Sequence, residues 1–180
     1  MSNVTPTGSA GFNNLKEARG FKGAEENKTF SQELILTREV GLAFAEKLQE
    51  MANKLHAQEI EKAKANGRSV RFALPVVPYK EMDDGSLKFS FRRKEFDGAP
   101  PVIGPDGLPF TGLVRKDNQI QVAFKLRPYV LAATFGVSLV LVAVKVLESE
   151  MSTATAAALF GDTPEATKPA DKPTTISDLF

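Results

Sequence analysis

Read two residues at a time, the stretch Ile120 to Tyr129 separates into two faces. Ile120, Val122, Phe124 and Leu126 fall on one side, and Gln121, Ala123, Lys125 and Arg127 on the other, because side chains alternate along an extended chain. Leu87 to Phe96 repeats the arrangement, with Leu87, Phe89 and Phe91 opposite Lys88, Arg92 and Lys94. Both segments predict strands with an apolar back and a cationic front. Phe30 to Thr37 predicts a further strand, with Leu34 and Leu36 opposite Ile35, and Val70 to Leu74 a short one. Pro75-Val76-Val77-Pro78 predicts extended backbone outside the middle of a sheet, where proline cannot donate a hydrogen bond. Val137 to Glu148 is apolar on both faces and predicts a central strand covered on both sides.

Between Arg38 and Asn66 the period becomes helical. Val40, Phe44, Leu48, Met51 and Leu55 recur at spacings of 4, 4, 3 and 4, one stripe of an amphipathic helix packed on the sheet. Thr37 is placed to cap its start, and Asn66-Gly67 to stop it in a left-handed turn. His56 borders the stripe and reads as an ordinary surface or boundary histidine. Asp83-Asp84-Gly85 and Pro105-Asp106-Gly107 predict turns. The second lies in a long loop, Asp97 to Gly112, that carries one short strand at Val102-Ile103.

The ends of the chain differ in character. Residues 1–27 are rich in Gly, Ser, Asn and Thr and predict a flexible N-terminal arm, docked by Phe12 and Phe21. Residues 28–149 hold the folded domain. Residues 150–180 begin with an alanine-rich segment and continue as a linker low in hydrophobicity, disordered by composition, before an apolar tip at Ile176 to Phe180. Strand, helix, then several strands with long turns predict a mainly β fold: a small, curved barrel of about five strands with one helix against it.

Composition narrows the chemistry. There is no cysteine and one histidine, which removes disulfides, thiolate metal sites and most triads. A reducing, cytoplasmic setting fits this usage. Neither a secretory signal nor a spanning helix is predicted; Val130 to Leu147 is apolar but valine-rich and short. The net charge of +1 conceals an asymmetry, since residues 148–180 carry −4 and the preceding 147 residues +5. A basic body with an acidic tail fits a nucleic-acid partner. The glycines match neither a P-loop nor a dinucleotide fingerprint, and no nucleophile has an activating base. A non-enzymatic protein without cofactors or a metal is expected.

The candidate site is the cationic front: Lys88, Arg92, Lys94, Lys125 and Arg127, extended by Arg115 and Lys116. On neighbouring strands these would track the phosphates of an unpaired strand, with Tyr79, Tyr129 and Phe96 as rings on which bases stack. The plainer alternative is a solvated sheet face.

The order of segments resembles the single-stranded DNA-binding proteins of podovirus-type bacteriophages. The resemblance rests on the Glu/Lys/Ala-rich helix followed by Asp84-Gly85-Ser86-Leu87-Lys88-Phe89-Ser90-Phe91. Val102-Ile103, Asp106-Gly107-Leu108-Pro109, Ile120 to Phe124, Arg127-Pro128-Tyr129 and Gly136 to Glu148 come next in that order. It implies a five-stranded OB-fold barrel that coats single strands in phage replication, recombination and repair. It implies as well a homodimer and a C-terminal tip, here Asp178-Leu179-Phe180, that recruits the replicative polymerase and primase-helicase. The tail lacks the long acidic run typical of that family. An RNA-binding OB module and an oligomerising scaffold remain the alternative readings.

Overall fold

The computed structural model describes residues 2–20, 27–67, 73–131 and 134–148. The C-terminal linker, the tip Asp178-Leu179-Phe180, Phe21 and most of the Val70–Leu74 strand lie outside these residues. The described residues fall within one compact unit, Met1–Ser149.

Eight strands and one long helix form the fold: β1 (Asn3–Val4), β2 (Gly8–Arg19), β3 (Thr29–Leu36), α1 (Arg38–Ala65), β4 (Tyr79–Glu81), β5 (Leu87–Lys94), β6 (Val102–Ile103), β7 (Gln119–Leu131) and β8 (Thr134–Glu148). Mainly β with one helix is therefore correct, but the strands among the described residues number eight rather than five. Five of them pair in a circuit. β2 pairs with β3 and β3 with β5, both antiparallel; β5 runs parallel to β8 at Arg92–Val140; β8 pairs antiparallel with β7, and β7 returns to β2 at Ile120–Gly8. The short strands β1, β4 and β6 attach at β7, β5 and β8.

The expected faces of β5 and β7 hold. Leu87, Phe89, Phe91, Ile120, Val122 and Phe124 are buried, whereas Arg92, Lys94, Lys125 and Arg127 are exposed. A cluster of rings fills the interior, with Phe44 of α1 edge-on to Phe89 at 5.0 Å and to Phe124 at 5.8 Å. Such edge-to-face pairs add about 0.5–1.5 kcal/mol each beyond the area they bury.

Three local expectations need correction. The N-terminal arm is ordered sheet through β1 and β2, and it is tied down further where the Thr5 N–H donates to the Val122 carbonyl and the Val122 N–H to Thr5 Oγ1, each at 3.0 Å. Composition hid β2 because its inward positions include Gly8, Ala10 and Gly11, and because two register shifts break its period of two. The face of α1 is turned from the expected stripe: Gly41, Phe44, Ala45, Leu48, Ala52 and His56 are buried, and Val40 is exposed. His56 is accordingly an interior residue, edge-on to Phe135 at 5.1 Å. Thr37 makes no side-chain cap, although Gly67 does close the helix at φ +69°.

Other expectations are met. Ser86 donates from its hydroxyl and its N–H to the Asp84 carboxylate at 2.6 and 2.9 Å, closing the Asp83-Asp84-Gly85 turn. Those bonds hold the Asp84 pKa below the usual carboxylate value. The apolar stretch from Val130 onward belongs to the β7–β8 hairpin, and no described helix is long and apolar enough to cross a membrane.

Candidate nucleic-acid interface

Outward residues on neighbouring strands of the circuit lie side by side because cross-strand partners project to the same side. Asn14, Ser31, Arg92, Val140 and Lys125 form one such row through β2, β3, β5, β8 and β7. Lys94 lies opposite Thr29, which lies opposite Arg19, and Arg127 lies opposite Ser138.

Three depressions follow one another over these strands, each sharing lining residues with the next. The first, about 570 Å3, is lined by Phe12, Glu33, Met82, Lys88, Leu113, Arg115 and Lys116 among others. The second, about 260 Å3, shares Phe12 and Glu33 with it and adds Arg19, Ser90 and Arg92. The third, about 170 Å3, shares Thr29 and Arg92 with the second and adds Lys94, Asp97, Arg127 and Ser138 among others. Together they form a trough with Arg115 and Lys116 at one end and Arg127 at the other.

Six of the seven expected cations line this trough: Lys88, Arg92, Lys94, Arg127, Arg115 and Lys116. Lys125 does not. Although it shares a row with Arg92, it lines a separate depression against α1, with Asn3, Met51, Lys54 and Leu55. Lys88 is also less available than its position suggests, because its ammonium lies 2.9 Å from Glu33 Oε1. The loop carrying Arg115 is held to β2, where Asn13 Nδ2 donates to the Val114 carbonyl at 2.9 Å, and is closed on itself where the Arg115 N–H donates to Asn118 Oδ1 at 2.7 Å.

The rings divide. Tyr79 pairs with Phe89 in register and lies over that buried ring at 5.8 Å, so it covers the core and is not on the cationic face. Phe96 is 79% exposed on a 3₁₀ turn after β5, with the Lys94 ammonium 5.3 Å from its ring centre. Tyr129 is half-exposed near the hairpin end and lies over Gly136, where any side chain would strike its ring.

Sequence reasoning missed Phe12, Arg19, Glu33 and Lys80. Phe12 is 61% exposed at the junction of the two larger depressions, with no role in docking an arm. The bulges in β2 left Phe12 and Arg19 without a readable period. Lys80 could have been found, because a hairpin closed at Asp83-Asp84-Gly85 places it opposite Lys88.

This arrangement of strands recurs in solved structures. gp2.5, a single-stranded DNA-binding protein encoded by bacteriophage T7, superposes with a TM-score of 0.63 at 15% identity, over 85% of this chain and 94% of that one. The fold is that of phage single-stranded DNA-binding proteins. The single-stranded DNA-binding protein from bacteriophage Enc34, in complex with single-stranded DNA, matches at a TM-score of 0.58 and 12% identity, over 81% of this chain and 85% of that one. The same Enc34 protein without DNA gives 0.57, again at 12% identity, over 85% and 88%. No protein-family description and no curated protein matches the sequence.

Proposed function

We propose that the chain is a phage-type single-stranded DNA-binding protein whose trough tracks the phosphates of an unpaired strand. The observation that carries this reading is the succession of depressions that share lining residues, with Arg19, Arg92, Lys94, Arg127, Arg115 and Lys116 along them and the exposed rings of Phe12 in the lining, Phe96 against Lys94 and Tyr129 two residues beyond Arg127 on β7. Guanidinium and ammonium groups recruit phosphate without reading sequence, and exposed rings stack bases of any kind, contributing about 1–3 kcal/mol per base. A duplex keeps its bases stacked inside and offers those rings nothing. The closed circuit of β2, β3, β5, β8 and β7 supports assignment as a five-stranded OB-fold barrel with three short strands added. The protein binds without catalysis, coats DNA during phage replication, recombination and repair in the host cytoplasm, and dimerises. Its tip, Asp178-Leu179-Phe180, recruits the replication proteins.

Fluorescence anisotropy with labelled oligonucleotides tests the binding role. Single strands are expected to bind far more tightly than duplex of equal length, with affinity falling as salt rises. Arg92→Glu combined with Arg127→Glu is expected to lower the salt slope by about 1.4, the loss of two phosphate contacts at ~0.7 each. Equal affinity for duplex and single strand, or a double variant that binds as before, would refute the reading.

A further inference from the structure

Two carboxylates, Glu33 and Asp97, line a trough otherwise rich in cations, and Glu33 is the one between the two larger depressions. Its carboxylate borders both larger depressions and is about one-fifth exposed, so it repels the ligand that the neighbouring cations attract. One oxygen holds Lys88 at 2.9 Å, and the other accepts the backbone N–H of Phe12 at 3.3 Å. Each oxygen keeps a second lone pair. The larger depression opens beside it, with Ile35, Met82, Leu113 and Val114 contributing an apolar lining and Arg115 and Lys116 at its edge. An apolar pocket with one hydrogen-bonding group and cations at its edge suits a nucleotide: base inside, phosphate outside.

The geometry points to a base-binding subsite at this end of the trough, in which a base stacks on Phe12 and donates an exocyclic amino hydrogen to Glu33. A carboxylate accepts from the amino group of cytosine, whereas the one donor on an unpaired thymine, N3–H, lies between two carbonyl oxygens that the carboxylate repels. The subsite therefore favours amino-bearing bases over thymine. Phe12 is fixed for this role by the bond from its N–H to Glu33, and the absence of a side chain at Gly11 leaves that contact room, since a Cβ there would lie 2.9 Å from the Glu33 Cβ.

This subsite rests on the single-strand reading, and the test separates the two. Anisotropy is measured for the full chain at neutral pH with oligo-dC and oligo-dT of equal length. Wild type is expected to prefer oligo-dC by about threefold, the worth of one modest hydrogen bond. Glu33→Ala is expected to gain affinity for oligo-dT, because a negative charge leaves and Lys88 is released, while the preference falls to about one. Glu33→Gln keeps a carbonyl acceptor and is expected to keep part of the preference. Wild-type binding to both oligonucleotides without preference, or a preference unchanged in Glu33→Ala, overturns the subsite and leaves the single-strand reading standing. No binding to either overturns both.

Discussion

Gly8 sits where β2 crosses from β3 to β7, facing Ile120 on one side and next to Ser9, the partner of Ile35, on the other. A Cβ there would lie 2.5 Å from Leu36 Cδ2 and 2.6 Å from the Ile35 carbonyl oxygen. The side chain could turn away, but the carbonyl belongs to a paired strand and cannot. Gly8→Ala is therefore expected to destabilise the fold by about 1–3 kcal/mol, the usual range for overpacking a filled interior. A urea midpoint equal to that of wild type would show that the two strands have room to part. The same residue explains why β2 was illegible. Its neighbour Ala10 is completely buried, and a strand that packs through glycine and alanine has no apolar alternation to read. Lys88 shows the complementary limit at the site: its parity was readable, but the carboxylate that neutralises it comes from β3, and no local pattern joins Glu33 to Lys88.

At the scale of elements, the helix was legible in extent and misread in orientation. A stripe drawn through Val40, Phe44, Leu48, Met51 and Leu55 counts only large side chains, whereas the buried face includes Gly41, Ala45 and Ala52. Small residues mark the line of closest approach: a Cβ at Gly41 would lie 2.8 Å from Leu87 Cβ, so the axis of α1 comes down onto the start of β5. The large residues flank that line. Leu48, fully buried, and Val40, 39% exposed, now make opposite predictions although both sit in the expected stripe. Leu48→Ala is expected to cost about 2–5 kcal/mol through lost burial and the cavity left behind. Val40→Ala is expected to stay within about 0.5 kcal/mol, as exposed substitutions do. Paired thermal or urea denaturation curves decide it, and equal losses would restore the original stripe. The strands β5 and β7 were easier to read because an alternation of large apolar and charged residues fixes both their faces. Their neighbours were not readable, since the parallel contact of Arg92 with Val140 joins residues 48 apart in the chain.

At the scale of the whole molecule, the charge asymmetry becomes a statement about competition. Glu150–Phe180 carries five acids and two bases, so a chain ending at Ser149 has a net charge of +4 in place of +1. If the acidic segment competes with phosphate for the trough, its removal raises affinity for single strands most at low salt, where charge is least screened, and the advantage fades as salt rises. The effect is expected to be modest, about two- to threefold at low salt, because the acids are spread along the segment instead of forming a run that would act as one polyanion. The described lining of the trough and the described core both draw on residues before Ser149. The truncated chain is therefore expected to unfold at the same denaturant concentration as the full one, which makes its binding curve interpretable. The same truncation removes Asp178-Leu179-Phe180, and sedimentation at matched concentration is expected to register weaker self-association. Lower affinity for single strands in a truncated chain of unchanged stability would mean that residues 150–180 contribute contacts to DNA, and would rule out competition by the acidic segment.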